Sequence, residues 1–278
     1  MRTTVHATVA ALLVVMTACD SGESERRGGA GDPDAAPDGD VLEGRVFVLQ
    51  ELIEPTVVAH ANASFQPGAR CDVETIDACT VCLVDLTAPL GDQTPLDAGV
   101  ISLAGAELPA DGIELAWDAE LEAYGAFLGD APLFDGGQTI TASSAGGELP
   151  AWGEQSVETP GEIAVTAPDC SADDCVLDRS GDLEVTWTGG GAGDVEVSVS
   201  TTDNETAAVV VYCTFEATAH QGTVPAAAMA QLQQSDRETV FGQFLVAPTS
   251  AITFPVADWN VRFSVTTTRT FATFATAN

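Results

Sequence analysis

The chain has 278 residues, with 42 Asp and Glu against 9 basic residues, a formal net charge of −33 and 45% hydrophobic residues. So acidic a surface repels a phosphate backbone, which excludes nucleic acid as a partner. All nine basic residues are Arg; without Lys, a P-loop lysine, a Schiff base and a Ser–Lys dyad are excluded too.

At the N-terminus, Arg2 precedes an apolar run from Val5 to Met16, which leads into Met16-Thr17-Ala18-Cys19. A basic start, a short apolar stretch and small residues before a cleavage point compose a secretory signal. The run is shorter than the ~20 apolar residues that span a bilayer. Met16–Cys19 resembles a bacterial lipobox, with Met in place of the usual Leu. That resemblance implies a signal peptide over 1–18 and lipid attachment at Cys19, where two or three acyl chains anchor stably and one does not. The expected localisation is therefore exported and anchored to the bacterial cell envelope. Asp20 fits the inner-membrane retention rule of enteric bacteria, a rule that does not transfer between phyla, so the choice of membrane stays open.

Residues 19–42 are polar, lack aromatics and are rich in Gly, Pro and Asp, the composition of a flexible tether. The acids Asp32, Asp34, Asp38 and Asp40 lack the ligand order and terminal Glu of an EF-hand, and read as solvated linker.

After Leu42 the hydrophobicity alternates with period two in short runs bounded by Gly, Pro and Asp. The runs are Arg45–Leu49, Ala61–Phe65, Val81–Leu86, Gly99–Leu103, Ile113–Trp117, Glu122–Leu128, Thr139–Ala142 and Glu162–Thr166. They continue as Leu183–Trp187, Val195–Val199, Val209–Phe215, Phe241–Val246, Ile252–Phe254 and Trp259–Thr266. Short strands at about ten-residue spacing predict an all-β fold of two Ig-like β-sandwich domains, over 43–171 and 172–278. One helix is predicted in the second domain, over Pro225–Gln234, where Pro stands in the first turn before strong helix formers.

Trp187, the Gly-Gly-Gly-Ala-Gly-Asp stretch, the valine strand, Val-Val-Tyr-Cys213 and Gly222–Ala227 together resemble a C-terminal module of myxobacterial secreted lipoproteins. Thr139–Ala142 through Gly146–Trp152 is similar to the segment preceding that module, as is the triplet Cys71, Cys79, Cys82. The resemblance implies fold and localisation; that family has no established activity, so no site comes with it.

Six cysteines remain beyond Cys19: Cys71, Cys79, Cys82, Cys170, Cys175 and Cys213. An even count in an exported chain predicts disulfides. A domain boundary between Cys170 and Cys175 leaves four and two, so each bond can stay within a domain. On that argument Cys175 pairs with Cys213, and Cys170 pairs within the N-terminal triplet. A redox Cys79-x-x-Cys82 would need a helix N-terminus to lower a thiol pKa, and the β-rich surroundings offer none. Zinc would need reduced thiols outside the cytoplasm.

For catalysis, only His60 and His220 follow the signal, and there is no Gly-x-Ser-x-Gly elbow. Both histidines read as ordinary packing or loop residues. Carboxylate pairs are too abundant to discriminate, and a glycosidase would need two beside a sugar-sized cleft. Of Trp117, Trp152, Trp187 and Trp259, Trp152 between Pro150-Ala151 and Gly153 is the one expected to be exposed and open to a ligand. A calcium loop at Asp169, Asp173 and Asp174 reads instead as a solvated acidic turn. The expectation is a non-enzymatic binding or structural module, with no catalytic residue, cofactor or metal and an unknown envelope protein or polysaccharide as partner. The alternative is a carbohydrate-binding module, followed by a carboxylate-based hydrolase.

Overall fold

A computed structural model describes residues 42–53, 56–67, 72–87, 94–170, 175–236, 239–268 and 270–277. The signal, Cys19, Cys71 and the acidic tether lie outside the described residues, as do Asp173 and Asp174. The first strands are β1 (Leu42–Ile53), β2 (Thr56–Pro67), β3 (Asp72–Ile76), β4 (Cys79–Asp85), β5 (Ile101–Gly105), β6 (Ile113–Leu115) and β7 (Trp117–Asp118). Next come β8 (Ala123–Gly129), β9 (Thr139–Ser144), β10 (Trp152–Glu158), β11 (Ile163–Ala167), β12 (Val176–Asp178) and β13 (Leu183–Gly189). The chain finishes with β14 (Asp194–Thr202), β15 (Ala207–Glu216), β16 (Gln221–Val224), α1 (Ala226–Met229), β17 (Phe241–Val256), β18 (Trp259–Thr268) and β19 (Thr270–Ala277).

The fold is all-β and layered. A 12-stranded sheet runs β3-β4-β15-β14-β17-β18-β1-β2-β8-β7, with β19 on β17 and β12 on β19. A 4-stranded sheet, β10-β9-β5-β6, and a 3-stranded sheet, β11-β13-β16, complete the layers. Alternation sets which side chains turn inward. Val46 and Val48 of β1, Ala61 and Phe65 of β2, and Val261, Phe263 and Val265 of β18 bury against Ile101, Leu103, Ile140 and Trp152 of the 4-stranded sheet. In a second core, Val195, Val197 and Val199 of β14 and Val209 and Val211 of β15 bury against Val185 and Trp187 of the 3-stranded sheet. Fully burying one Phe or Val contributes about 1.5–3 kcal/mol, so each alternating run holds its own layer. Gly44 shows how tight this packing is: a Cβ there would come within 2.5 Å of Phe65 Cδ1.

The two cores do not divide the chain at 171/172. β1 pairs in parallel with β18, from Leu42↔Trp259 to Glu51↔Thr268. β4 pairs with β15, from Ala207↔Asp85 to Cys213↔Cys79. β17 is 16 residues long, about 50 Å at ~3.3 Å per residue, and serves both cores. Its first half puts Phe244 and Val246 in the second core; its last residue, Val256, is in the first. The predicted boundary is thus corrected, because long-range strand pairing overrides chain order.

The cysteine pairing is corrected with it. Cys79 bonds Cys213, 134 residues away, and Cys170 bonds Cys175, 5 residues away. Cys82 is disulfide-bonded too. The parity argument failed because its premise, that β4 and β15 belong to separate domains, is false.

The predicted helix shrinks to four residues. Pro225 caps it, and Ala228, Met229 and Leu232 are fully buried. The chain then leaves the helix because Gln233 N–H donates to Thr201 Oγ1 at 2.8 Å and Ser235 N–H to Thr276 Oγ1 at 3.1 Å. Tertiary hydrogen bonds outweigh propensity in so short a segment.

Candidate functional site

Trp152 is 8% exposed and its ring lies 5.7 Å from Phe65 and 6.1 Å from Phe254. This corrects the expected ligand contact: β10 begins at Trp152 and turns it into the first core, so it offers no platform. Trp187 and Trp259 are buried as well. Trp187 Nε1–H donates to the Ala217 carbonyl at 2.9 Å. Trp117 is half-buried and rests 5.1 Å from the Tyr124 ring.

Tyr124 anchors the most connected polar cluster in the first sandwich. Its hydroxyl accepts the Ala98 N–H at 2.7 Å and points its proton at Asp97 Oδ1, 2.7 Å away, and the Gly99 carbonyl, 2.9 Å away. Asp97 Oδ1 also accepts the Gly99 N–H at 2.7 Å, and Glu148 Oε2 accepts the Asp97 N–H at 2.9 Å. Burial, then the Asp97 hydrogen bond, pushes the phenol above its ordinary range. Both carboxylates pin the loop before β5, so the cluster latches that loop in place.

Two buried serines and the two histidines are the next groups in line for chemistry among the described residues. Ser198 and Ser200 are buried on β14 with no hydrogen-bond partner for either hydroxyl. Their cross-strand neighbours are Tyr212, Val210, Leu245 and Gln243, none of which is a base for a serine nucleophile. His60 Nε2 stands 3.9 Å from Glu51 Oε2, and His220 is exposed in a left-handed turn at φ 57°. Among the described residues no group of three or more His, Cys, Asp or Glu side chains could hold a metal.

One surface stands apart. β7 spans two residues and pairs with β8 only at Tyr124 and Ala123. The strand that precedes it, β6, pairs instead with β5 of the facing sheet. Gly125–Gly129 of β8 therefore pair with β2 on one side and, among the described residues, with no hydrogen-bonded strand on the other. Phe127 on this stretch is 68% exposed, and Leu121 in the β7–β8 turn is 75% exposed. The Phe127 ring meets the His60 ring edge-on, with centroids 6.0 Å apart. Glu114, Asp118, Glu120, Glu122 and Asp130 lie in this hairpin or flank it in sequence, and all are exposed. No Arg, Lys or His occurs between Arg70 and Arg179. Sequence reasoning placed the strand but missed this residue, because apolar side chains occupy both parities of Glu122–Leu128 and only packing shows which parity is outward.

A scan against protein-family models finds no match for this chain, and a search of curated proteins finds none either.

Proposed function

We propose that this chain is a lipid-anchored lipoprotein of the bacterial cell envelope, acting as a non-enzymatic binding or structural module. The observation that carries this reading is Met16-Thr17-Ala18-Cys19 at the end of a short apolar run, followed by an aromatic-free polar tether. The resemblance to myxobacterial secreted lipoproteins agrees with it. So do the disulfides at Cys79–Cys213 and Cys170–Cys175, which suit an oxidising compartment. The non-enzymatic part rests on the carboxylates and serines described above, which are committed to structure or lack a base. With Trp152 inside the core, the polysaccharide version of this module has lost its aromatic platform.

Mass spectrometry of the mature protein tests the anchor. The expected N-terminus is Cys19 carrying a diacylglyceryl group, with Cys19→Ala leaving the precursor uncleaved. Cleavage elsewhere, or an unmodified Cys19 thiol at the N-terminus, overturns the reading.

A further inference from the structure

We infer that the open edge of β8 is a docking site for an extended, cationic peptide segment of another protein, added to the sheet as a strand. The inference deepens the binding-module reading and rests on its non-enzymatic part. Three independent features meet here. First, the backbone of Gly125–Gly129 has no hydrogen-bonded strand on its outer side among the described residues, since β7 ends its ladder at Tyr124 and β6 pairs with β5. An unpaired edge presents N–H and C=O groups in the spacing that another strand matches. Second, Phe127 is 68% exposed beside that edge, a large apolar side chain held out in water between Gly125 and Gly129. A segment lying along β8 would cover it with every second side chain.

Third, the charge selects the occupant. Glu114, Asp118, Glu120, Glu122 and Asp130, in the hairpin or flanking it in sequence, are exposed, with no basic residue in the sequence from 71 to 178. A second copy pairing β8 against β8 would bring these carboxylates against their own equivalents, and like charges across an interface oppose association. The chain has no Lys, and its described arginines are held internally: Arg45 to Glu43 at 3.2 Å, Arg262 to Glu196 at 2.7 Å and Arg179 to the Ala230 carbonyl at 3.0 Å. The complementary strand therefore comes from a partner that alternates Lys or Arg with apolar residues. Main-chain pairing supplies register, Phe127 supplies apolar contact, and the acidic rim steers the approach.

The test titrates the full chain, as isolated and whether or not it is acylated, with fluorescent eight-residue peptides. One alternates Lys with Val, one Glu with Val, and one carries Pro at the strand-pairing positions of the Lys–Val sequence. Expected is saturable binding of the Lys–Val peptide alone, with slowed amide exchange confined to Gly125–Gly129. Phe127→Ser should weaken that binding at least tenfold, and the exposure of Phe127 leaves the fold intact, as an unchanged melting curve will show. Glu120→Lys with Glu122→Lys provides a second route, weakening the Lys–Val peptide at least tenfold and admitting the Glu–Val peptide. The proposal is overturned by no saturable binding, by binding indifferent to Phe127→Ser, or by equal binding of the Pro peptide. It is also overturned if sedimentation finds a dimer that Phe127→Ser dissolves, since the edge would then serve a second copy. Because acylation does not enter this measurement, failure here is separable from failure of the lipoprotein reading.

Discussion

Tyr124 carries the clearest consequence of a single side chain. Its hydroxyl satisfies the Ala98 N–H and is itself buried, so Tyr124→Phe leaves a buried donor unmet. A loss of about 1–3 kcal/mol in unfolding free energy is expected by urea titration; an unchanged midpoint would show that water replaces the hydroxyl. The same group sets an alkaline limit. Its folded pKa lies above its ordinary value near 10, so the folded state holds the proton longer than the unfolded state. This contribution is complete below pH ~10 and is lost as pH rises towards the folded value. Tyr124→Phe should flatten that part of the stability–pH curve. Asp203 works in the opposite direction at the β14–β15 turn. The Thr206 hydroxyl, then the N–H groups of Ala207, Thr206 and Glu205, hold its carboxyl well below the usual range.

Pairing at the level of elements explains where the cross-links matter. Cys79–Cys213 joins β4 to β15 in register and closes a loop of 134 residues. Cys170–Cys175 closes one of 5 residues within a single connection. In the chain-entropy model the first is worth about 5 kcal/mol and the second about 2 kcal/mol. Replacing Cys79 and Cys213 by Ala should therefore lower the melting temperature well beyond replacing Cys170 and Cys175; the reverse order would sink this account. The hairpin of β17 with β18 and β19 has a similar joining role. Val256 and Phe263 sit in one core while Phe244 and Phe274 sit in the other, on one continuous ribbon. Such a ribbon transmits order from one sandwich to the next, because its backbone ladder runs through both.

For the whole molecule, the interleaving means that neither sequence half contains a complete sandwich. The segment 43–171 lacks β18, the partner of β1, and the segment 172–278 lacks β4, the outer partner of β15. Expressed separately, each half is expected to be aggregated or to lack cooperative unfolding. Co-expression should restore a soluble complex. Two soluble, cooperatively melting halves would disprove the shared-sheet account. The charge acts at this scale too: a net −33 keeps exposed edges of different molecules apart and leaves a cationic segment as the strand most able to approach β8.

The sequence alone determined the all-β class and most of the strands, because period-two alternation in runs such as Val195–Val199 and Trp259–Thr266 is a local property. β3, β10, β12, β16 and β19 escaped it for local reasons. β3, β12 and β16 are only five, three and four residues long, a register shift between Trp152 and Gln155 breaks the pattern of β10, and Thr270–Ala277 alternates poorly. The missing Lys was equally legible and removed whole classes of chemistry without reference to any fold. What only the tertiary structure decided is which strands are partners. A strand's sequence specifies which face is apolar but not which distant strand completes its ladder. That choice put Cys79 beside Cys213, drew Trp152 into a core, and left Phe127 in water on an edge whose partner strand, β7, stops after two residues.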